Sequence, residues 1–180
     1  MICILGQQER KGQTMNTLII YDSTFRNTEQ LARAMADRLG EYGMVILFRV
    51  PETGALEIKG ADVLIMGGPT QRHGTSPAMR AFLERIPRRT LHGLGAAVFD
   101  TRYHMSAWKS GSAAPRITSR LKRAGASLIM PPESFFVAER EGPLEEGELE
   151  RAVQWAEQVF EQFEASRSVQ KGKNESGVKC

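Results

Sequence analysis

Apolar and polar positions along this chain fall into blocks of two alternating lengths, one suited to strands and one to helices. Leu18, Ile19, Ile20 and Tyr21 form an apolar run of strand length, and a hydroxyl-rich turn follows it. Leu31, Ala34, Met35 and Leu39 then recur at helical spacing. Asn27 or Thr28 is placed to cap that helix, and Glu29 sits in its first turn, where a negative charge suits the helix dipole. Gly40 and Gly43 end it. Residues 44–50 read as a second strand stopped by Pro51, and residues 55–58 as a connecting turn. Residues 62–68 are a third, apolar strand, and residues 69–77 a loop. Ser76 and Pro77 open the next helix, with Met79, Phe82, Leu83 and Ile86 on its apolar face. Residues 94–99 are the fourth strand, 100–112 a long loop, and 113–125 a helix with Ile117, Leu121 and Ala124 inward. Residues 127–130 and 134–137 read as one last strand broken by Pro131 and Pro132. A final helix is expected over 144–163, with Leu149, Ala152, Val153, Ala156, Val159, Phe160 and Phe163 as its stripe.

Strands alternating with helices imply βαβ units, hence a parallel sheet with helices on both faces. Ligands of such sheets bind beyond the carboxyl ends of the strands, where strand order reverses. The loops leaving the first, third and fourth strands are also the three chemically rich loops of the chain. The first is a place to hold a phosphate. A buried strand running into Ser23, Thr24 and Thr28 and then a helix start offers hydroxyls, unpaired N–H groups and a partial positive charge. These three residues could serve simply as helix caps, but their density favours the phosphate reading.

Composition narrows the class. With 180 residues, 41% hydrophobic and 25% charged, the chain matches an ordinary globular domain long enough for a substantial core. No apolar stretch approaches a membrane span. Cys3 and Cys180 stand at the chain ends and form neither a disulfide framework nor a metal-ligand spacing, which fits a reducing cytoplasm. Residues 1–15 are expected to be a disordered extension (or to precede a true start at Met15), residues 16–164 the folded domain, and residues 165–180 a disordered basic tail. The sequence pI near 9.0 belongs to those tails, because residues 15–165 hold 18 basic and 19 acidic side chains. Nucleic acid is therefore not an expected partner.

Inside the domain the charge is polarised. Residues 69–123 hold eleven Lys or Arg against Glu84 and Asp100, whereas residues 133–164 hold ten Glu against Arg140 and Arg151. Charge runs ordinarily mean solvated helix faces, here of neighbouring halves that attract each other. The alternative is a dipole that orients a charged partner.

The run Tyr21-Asp22-Ser23-Thr24-Phe25-Arg26-Asn27-Thr28-Glu29, with Gly67-Gly68-Pro69-Thr70 after the third strand, resembles the flavodoxin family over nearly all of residues 16–163. No long acidic insertion is present, so the likeness is to short-chain flavodoxins. Phe99-Asp100-Thr101-Arg102, Ser110-Gly111-Ser112-Ala113-Ala114 and Glu141-Gly142-Pro143-Leu144 look like a bacterial or archaeal branch of flavodoxin-like proteins. The resemblance implies an α/β, flavodoxin-like, doubly wound five-stranded parallel sheet of order 2-1-3-4-5 that holds non-covalent FMN. It implies that Ser23, Thr24, Phe25, Arg26, Asn27 and Thr28 surround the FMN phosphate. Pro69, Thr70, Gln71, Arg72, His73 and Gly74 would lie on one side of the flavin ring, and Asp100, Thr101, Arg102, Tyr103 and Trp108 on the other. The implied function is electron transfer, one or two electrons at a time, between redox protein partners (a reductase and an acceptor), by a monomer or homodimer. An FMN-dependent NAD(P)H:quinone reductase and a flavin-free interaction domain are the alternatives.

The chain departs from the family pattern at two places. Glycine is usual where Arg26 stands. If that position needs a positive φ, arginine strains it by about 1 kcal/mol; alternatively, its guanidinium folds over the phosphate as an added clamp. The loop of Gln71, Arg72 and His73 lacks the usual aromatic, leaving His73 or no residue to stack there. Tyr103 and Trp108 read either as flavin-stacking residues or as loop packing. His73 and His104 have no nucleophile partner, and Asp22 is read as shaping its turn. Gly67 and Gly68 occupy the place where a phosphoaspartate receiver would need its aspartate. Arg72, His73, Arg102 and Lys109 face only Asp100 in the two ring-side loops. Their charge is expected to favour the anionic reduced ring and make its potential less negative than among acidic flavodoxins.

Overall fold

A computed structural model of the chain describes residues 14–50 and 60–176. The expected N-terminal extension, apart from its last two residues, and the turn at 55–58 lie outside the described residues. The first strand, β1 (Thr17–Tyr21), is buried along its whole length and leads into α1 (Asn27–Leu39). Next come β2 (Val45–Arg49), β3 (Val63–Gln71), the short β4 (Gly74–Thr75) and α2 (Pro77–Arg85). Then follow β5 (Gly95–Tyr103), a single helical turn α3 (Ala107–Ser110), α4 (Ala114–Arg123), β6 (Ser127–Leu128), β7 (Glu133–Val137) and α5 (Glu148–Ser176).

The parallel sheet runs β2-β1-β3-β5, and β6 and β7 pair in succession with the far edge of β5. Counted as one strand interrupted at Pro131-Pro132, they complete the expected arrangement. The small β4 folds back antiparallel on the end of β3. Both β3 and β5 run three or four residues further than their apolar runs suggest. Gly68 and Pro69 pair with Asp100 and Thr101, and β7 pairs with β5 from Phe99 to Tyr103. The polar ends that read as loop are therefore held as strand by long-range partners.

Side chains alternate across the strands and split the interior into two cores. Leu18, Ile20, Leu64, Met66 and Val98 meet α2 and α4 on one face. Ile19, Ile65, Ala97 and Phe99 meet α1 and α5 on the other, where Trp155 packs edge-on to Phe99 and Phe135. The basic helices and the acidic helix thus lie on opposite faces of the sheet. This corrects the expectation that the two charged halves are neighbours that neutralise each other.

The chain ends also differ from expectation. Met15 is fully buried and its N–H donates to the Tyr42 carbonyl (3.0 Å), so ordered packing begins ahead of β1. The last helix starts at Glu148, with Leu149 exposed and Trp155 inward, and it continues to Ser176 rather than stopping near residue 165. Arg167 lies over the Phe163 ring (5.8 Å) and 3.6 Å from Glu164, while the Ser166 and Ser168 hydroxyls donate to carbonyls one turn back. These local contacts carry the helix past the point where the apolar stripe ends.

The Arg38 guanidinium clasps α1 to α5 by donating to Glu157, Glu41 and the Tyr42 hydroxyl, while Tyr42 stacks on Phe160 (3.8 Å). The hydrogen bond from Arg38, then its charge, hold the Glu157 carboxyl below the usual glutamate range. A depressed carboxyl stabilises the fold above its unfolded value, about 4.3, and that contribution is lost as pH falls toward the folded value. The Glu157→Gln variant is expected to lose less of its urea resistance than the parent between about pH 5 and about pH 3. Equal losses in parallel urea titrations would show that the clasp adds nothing to stability.

Candidate functional site

Three segments meet beyond the carboxyl ends of β1, β3 and β5. The first is the turn from β1 into α1. Arg26 is the N-cap residue at φ 67 and ψ −3, a left-handed conformation, and its side chain caps nothing. Arginine therefore sits where the backbone favours glycine, at a strain of about 1–2 kcal/mol. Its guanidinium is 80% exposed and leans toward Glu29 (3.8 Å). Ser23 is buried, and its Oγ accepts the Glu29 N–H (3.4 Å). Arg49, at the end of β2, donates to the Ser23 carbonyl (2.7 Å) and so braces the turn from the neighbouring strand. Asp22 accepts the Ser76 hydroxyl and ties the end of β1 to the α2 cap, rather than bonding within its own turn. No hydrogen bond joins the N–H groups of Thr24, Phe25, Arg26, Asn27 and Thr28 to an acceptor among the described residues. They form a row of donors at the positive end of a 13-residue helix.

The second segment is a hairpin. Gln71 and Gly74 pair across a two-residue turn in which Arg72 (φ 47) and His73 (φ 65) both have positive φ. That backbone normally selects Asn-Gly, so an arginine and a histidine are held in a strained turn. Gln71 Nε2 donates to the Thr24 hydroxyl (2.8 Å), which joins the hairpin to the first turn. A cleft of about 560 Å³ opens between them, walled by Ser23, Thr24, Arg49, Gln71 and Ser76.

The third segment leaves β5. Asp100 is fully buried, and its Oδ2 accepts the hydroxyls of Ser112 (2.6 Å) and Thr70 (3.1 Å) and the N–H groups of Ala113 (2.7 Å) and Ala114 (3.1 Å). One carboxylate oxygen thereby fastens the end of β3, the loop after β5 and the start of α4. Its other oxygen, Oδ1, is buried and has no partner among the described residues. Thr101 Oγ1 lies 2.9 Å from Thr28 Oγ1, which links the third segment to the first. Gly111 packs directly on the His73 backbone, so the hairpin and the third loop touch.

A family model described as flavodoxin matches residues 19–166. The chain belongs to the flavodoxin family. No curated protein matches it. Among solved structures, oxidised flavodoxin 1 from Bacillus cereus superposes with a TM-score of 0.68 at 19% identity, covering 81% of this chain and 97% of that one. Flavodoxin 2 from the same organism gives 0.67 at 22%, covering 82% and 98%. The flavodoxin, WrbA-like protein from Agrobacterium tumefaciens gives 0.67 at 18%, covering 84% and 99%. At such identities these structures attest the fold, and the family model attests the membership. As a flavodoxin, the chain is an FMN-binding electron-transfer protein.

The residues present fit that cofactor at its phosphate end. Five unclaimed N–H groups and the exposed Thr24 hydroxyl form a donor set for a dianion, with Arg26 beside it. The structure divides the expected binding residues, however. Asn27 is buried and its amide donates to the Glu141 carbonyl (3.1 Å), while Thr28 is bonded to Thr101, so both side chains work within the protein. Phe25 is exposed at the lip. Arg102 is turned toward β7: it donates to Ser134, Ser110 and the carbonyls of Tyr103 and Met105, and lies over the Phe136 ring (5.1 Å). It holds the loop in shape, whereas Arg72 and Lys109 form no ion pair among the described residues. Tyr103 is half-exposed, and Trp108 is 79% exposed with Lys109 over its ring (5.0 Å).

Sequence reasoning missed Arg49, Phe136 and the hub role of Asp100. Arg49 could have been found from strand order, since the last residue of β2 must lie beside the end of β1. Phe136 stacks under His104 (4.2 Å), which also meets Glu145 (2.9 Å), but no local pattern announces that platform.

Proposed function

We propose that this flavodoxin holds the FMN phosphate on the N–H groups of residues 24–28 and the Thr24 hydroxyl, and places the ring between the Arg72-His73 hairpin and the loop after β5. The row of unclaimed donors at the start of α1 carries this reading. When bound, the flavin takes up and releases one or two electrons, and the protein sets its position and electrostatic surroundings. Ser23 and Arg49 keep the phosphate turn in shape, Gln71 and Thr24 join turn to hairpin, and Asp100 fixes both ring-side loops. Pro69, Thr70 and Gly74 supply the backbone of the hairpin side, and Thr101 that of the opposite side. Redox proteins, one donating and one accepting, are the partners of such a carrier. Among the described residues no helix is long and apolar enough to cross a membrane, and we place the carrier in the cytoplasm. A visible spectrum of the purified protein, followed by FMN titration of the stripped form, tests the reading. A colourless protein that leaves FMN fluorescence unquenched would overturn it.

Arg26 separates two contributions by their signs. Replacing it with glycine is expected to raise the melting temperature of the flavin-free protein by about 2–4 °C, because about 1 kcal/mol of left-handed strain disappears. The same change is expected to weaken FMN binding through loss of the guanidinium beside the phosphate. Tighter binding would show that Arg26 contributes only strain.

Arg72 and Lys109 are exposed and have no carboxylate partner among the described residues. Cations at the ring favour its anionic reduced form. Arg72→Glu is expected to make the potential of the more reduced couple more negative, as read by potentiometry with redox dyes. An unchanged or less negative potential would remove Arg72 from the ring environment.

A further inference from the structure

The two charged halves of the molecule are treated differently. On the α5 side, four of the ten glutamates between positions 133 and 164 are paired with arginine: Glu157 with Arg38, Glu148 and Glu133 with Arg151, and Glu164 with Arg167. On the α2 and α4 side no ion pair is formed among the described residues. None of the eleven Lys or Arg residues between positions 69 and 123 forms an ion pair among the described residues. Arg80, Arg85, Arg116, Lys122 and Arg123 stand exposed on the two helices. Glu84 is the one carboxylate exposed among them. Arg102 and Arg120 donate to carbonyls and hydroxyls within the fold, but like charges without ion pairs on one face repel one another and complement an acidic surface brought against them.

The cationic face reaches the flavin site. Arg80 and Arg116 lie in the first turns of α2 and α4, at the end of the sheet where the site is built. At that same end Arg72 stands exposed on the hairpin, and Lys109 lies over the exposed Trp108 ring in the loop after β5. That indole is far more exposed than an aromatic held by its own fold, and Tyr103 and Met105 are exposed beside it. An exposed aromatic rimmed by cations has the make-up of an interface centre, where Trp and Arg dominate the binding energy. Residues 15–165 carry 18 basic and 19 acidic side chains, so attraction is directional and not a property of the whole molecule.

We propose that the face of α2 and α4, together with the Trp108 rim, is the docking surface for an acidic redox protein. The proposal rests on the reading of the site as an FMN carrier, since it is that site to which the partner must come. Charge complementarity sets the encounter, and the Trp108 ring makes the close contact over the ring-side loops.

The test uses two soluble redox probes of opposite charge, an acidic plant-type [2Fe–2S] ferredoxin and the basic protein cytochrome c. Binding of each to the full chain is followed by backbone amide NMR shifts and by titration calorimetry, on FMN-loaded and flavin-free protein. Ferredoxin is expected to shift amides of α2, α4 and the Trp108 loop, with an affinity that falls about tenfold or more between about 20 mM and about 300 mM salt. Cytochrome c is expected to bind weakly or on the α5 face. The variant Arg80→Glu/Arg116→Glu/Lys122→Glu is expected to abolish ferredoxin binding, and Trp108→Ala to weaken it about tenfold or more. Glu161→Lys, on α5, is the control expected to leave ferredoxin binding unchanged. Absence of binding at low salt, shifts confined to α1 and α5, or equal affinity for both probes would overturn the proposal. So would tighter binding of a dT oligonucleotide, or of vesicles containing phosphatidylserine, than of ferredoxin. FMN quenching measured on the same samples keeps the two readings apart. Flavin binding without ferredoxin binding refutes the surface alone, and a missing flavin refutes the carrier reading whatever the surface does.

Discussion

Asp100→Ala is expected to lower the unfolding free energy by about 3 kcal/mol or more, a fall in melting temperature of about 6–12 °C. The carboxylate is completely buried and one of its oxygens accepts four donors. Alanine would leave the Thr70 and Ser112 hydroxyls and the Ala114 N–H without their acceptor, each at a cost of about 1–3 kcal/mol before the site relaxes, while the Ala113 N–H keeps the Thr70 hydroxyl (2.9 Å). Relaxation is limited because the donors belong to three elements that also pack elsewhere. The loss should be present in the flavin-free protein, since the bonds are internal. It should also weaken FMN binding, because the same oxygen fixes both ring-side loops. Asp100→Asn retains one carbonyl acceptor and should lose less than half as much. Calorimetric melting of the flavin-free variants decides the matter: a shift within about 2 °C of the parent would show that the donors find other acceptors.

The same residue shows how far the sequence could be read. The fold was legible because buried strands of a parallel sheet announce themselves as continuous apolar runs, as in Leu18 to Tyr21 and Val63 to Met66. Asp100 stood out in the sequence by its place after the fourth apolar run and by the family pattern. Its hub role was not legible, because its partners come from Thr70 and from residues 112–114. The strand extensions at 69–71 and 100–103 were hidden for the same reason, being polar segments held by pairing at long range. Residue order also misled the reading of charge, since the basic and acidic halves are successive in sequence but end on opposite faces of the sheet. Arg26 was the informative exception. An expected glycine replaced by arginine raised the question of a positive φ, and the backbone has one.

Gly111→Ala is expected to act on the cofactor more than on the fold. Gly111 has a φ of +75, and a Cβ there would lie 2.2 Å from His73 Cα and 2.6 Å from its carbonyl carbon. Those atoms are backbone of the hairpin turn, so no side-chain rotation relieves the clash. The turn is already strained at Arg72 and His73, and it is joined to the rest of the site through Gln71 and Thr70. The least costly response is for the hairpin to move away from the loop after β5, which widens the gap in which the flavin ring is expected to sit. FMN should then bind about 10–100-fold more weakly, equivalent to about 1.4–2.8 kcal/mol. Gly93→Ala separates this from simple left-handed strain. Gly93 has a φ of +83 and open space at its Cβ position, in the turn before β5, at the opposite end of the sheet from the site. It should cost about 1 kcal/mol of stability and leave FMN affinity unchanged. If both alanine variants lose stability equally and bind FMN equally well, the contact between hairpin and loop does not govern the flavin site.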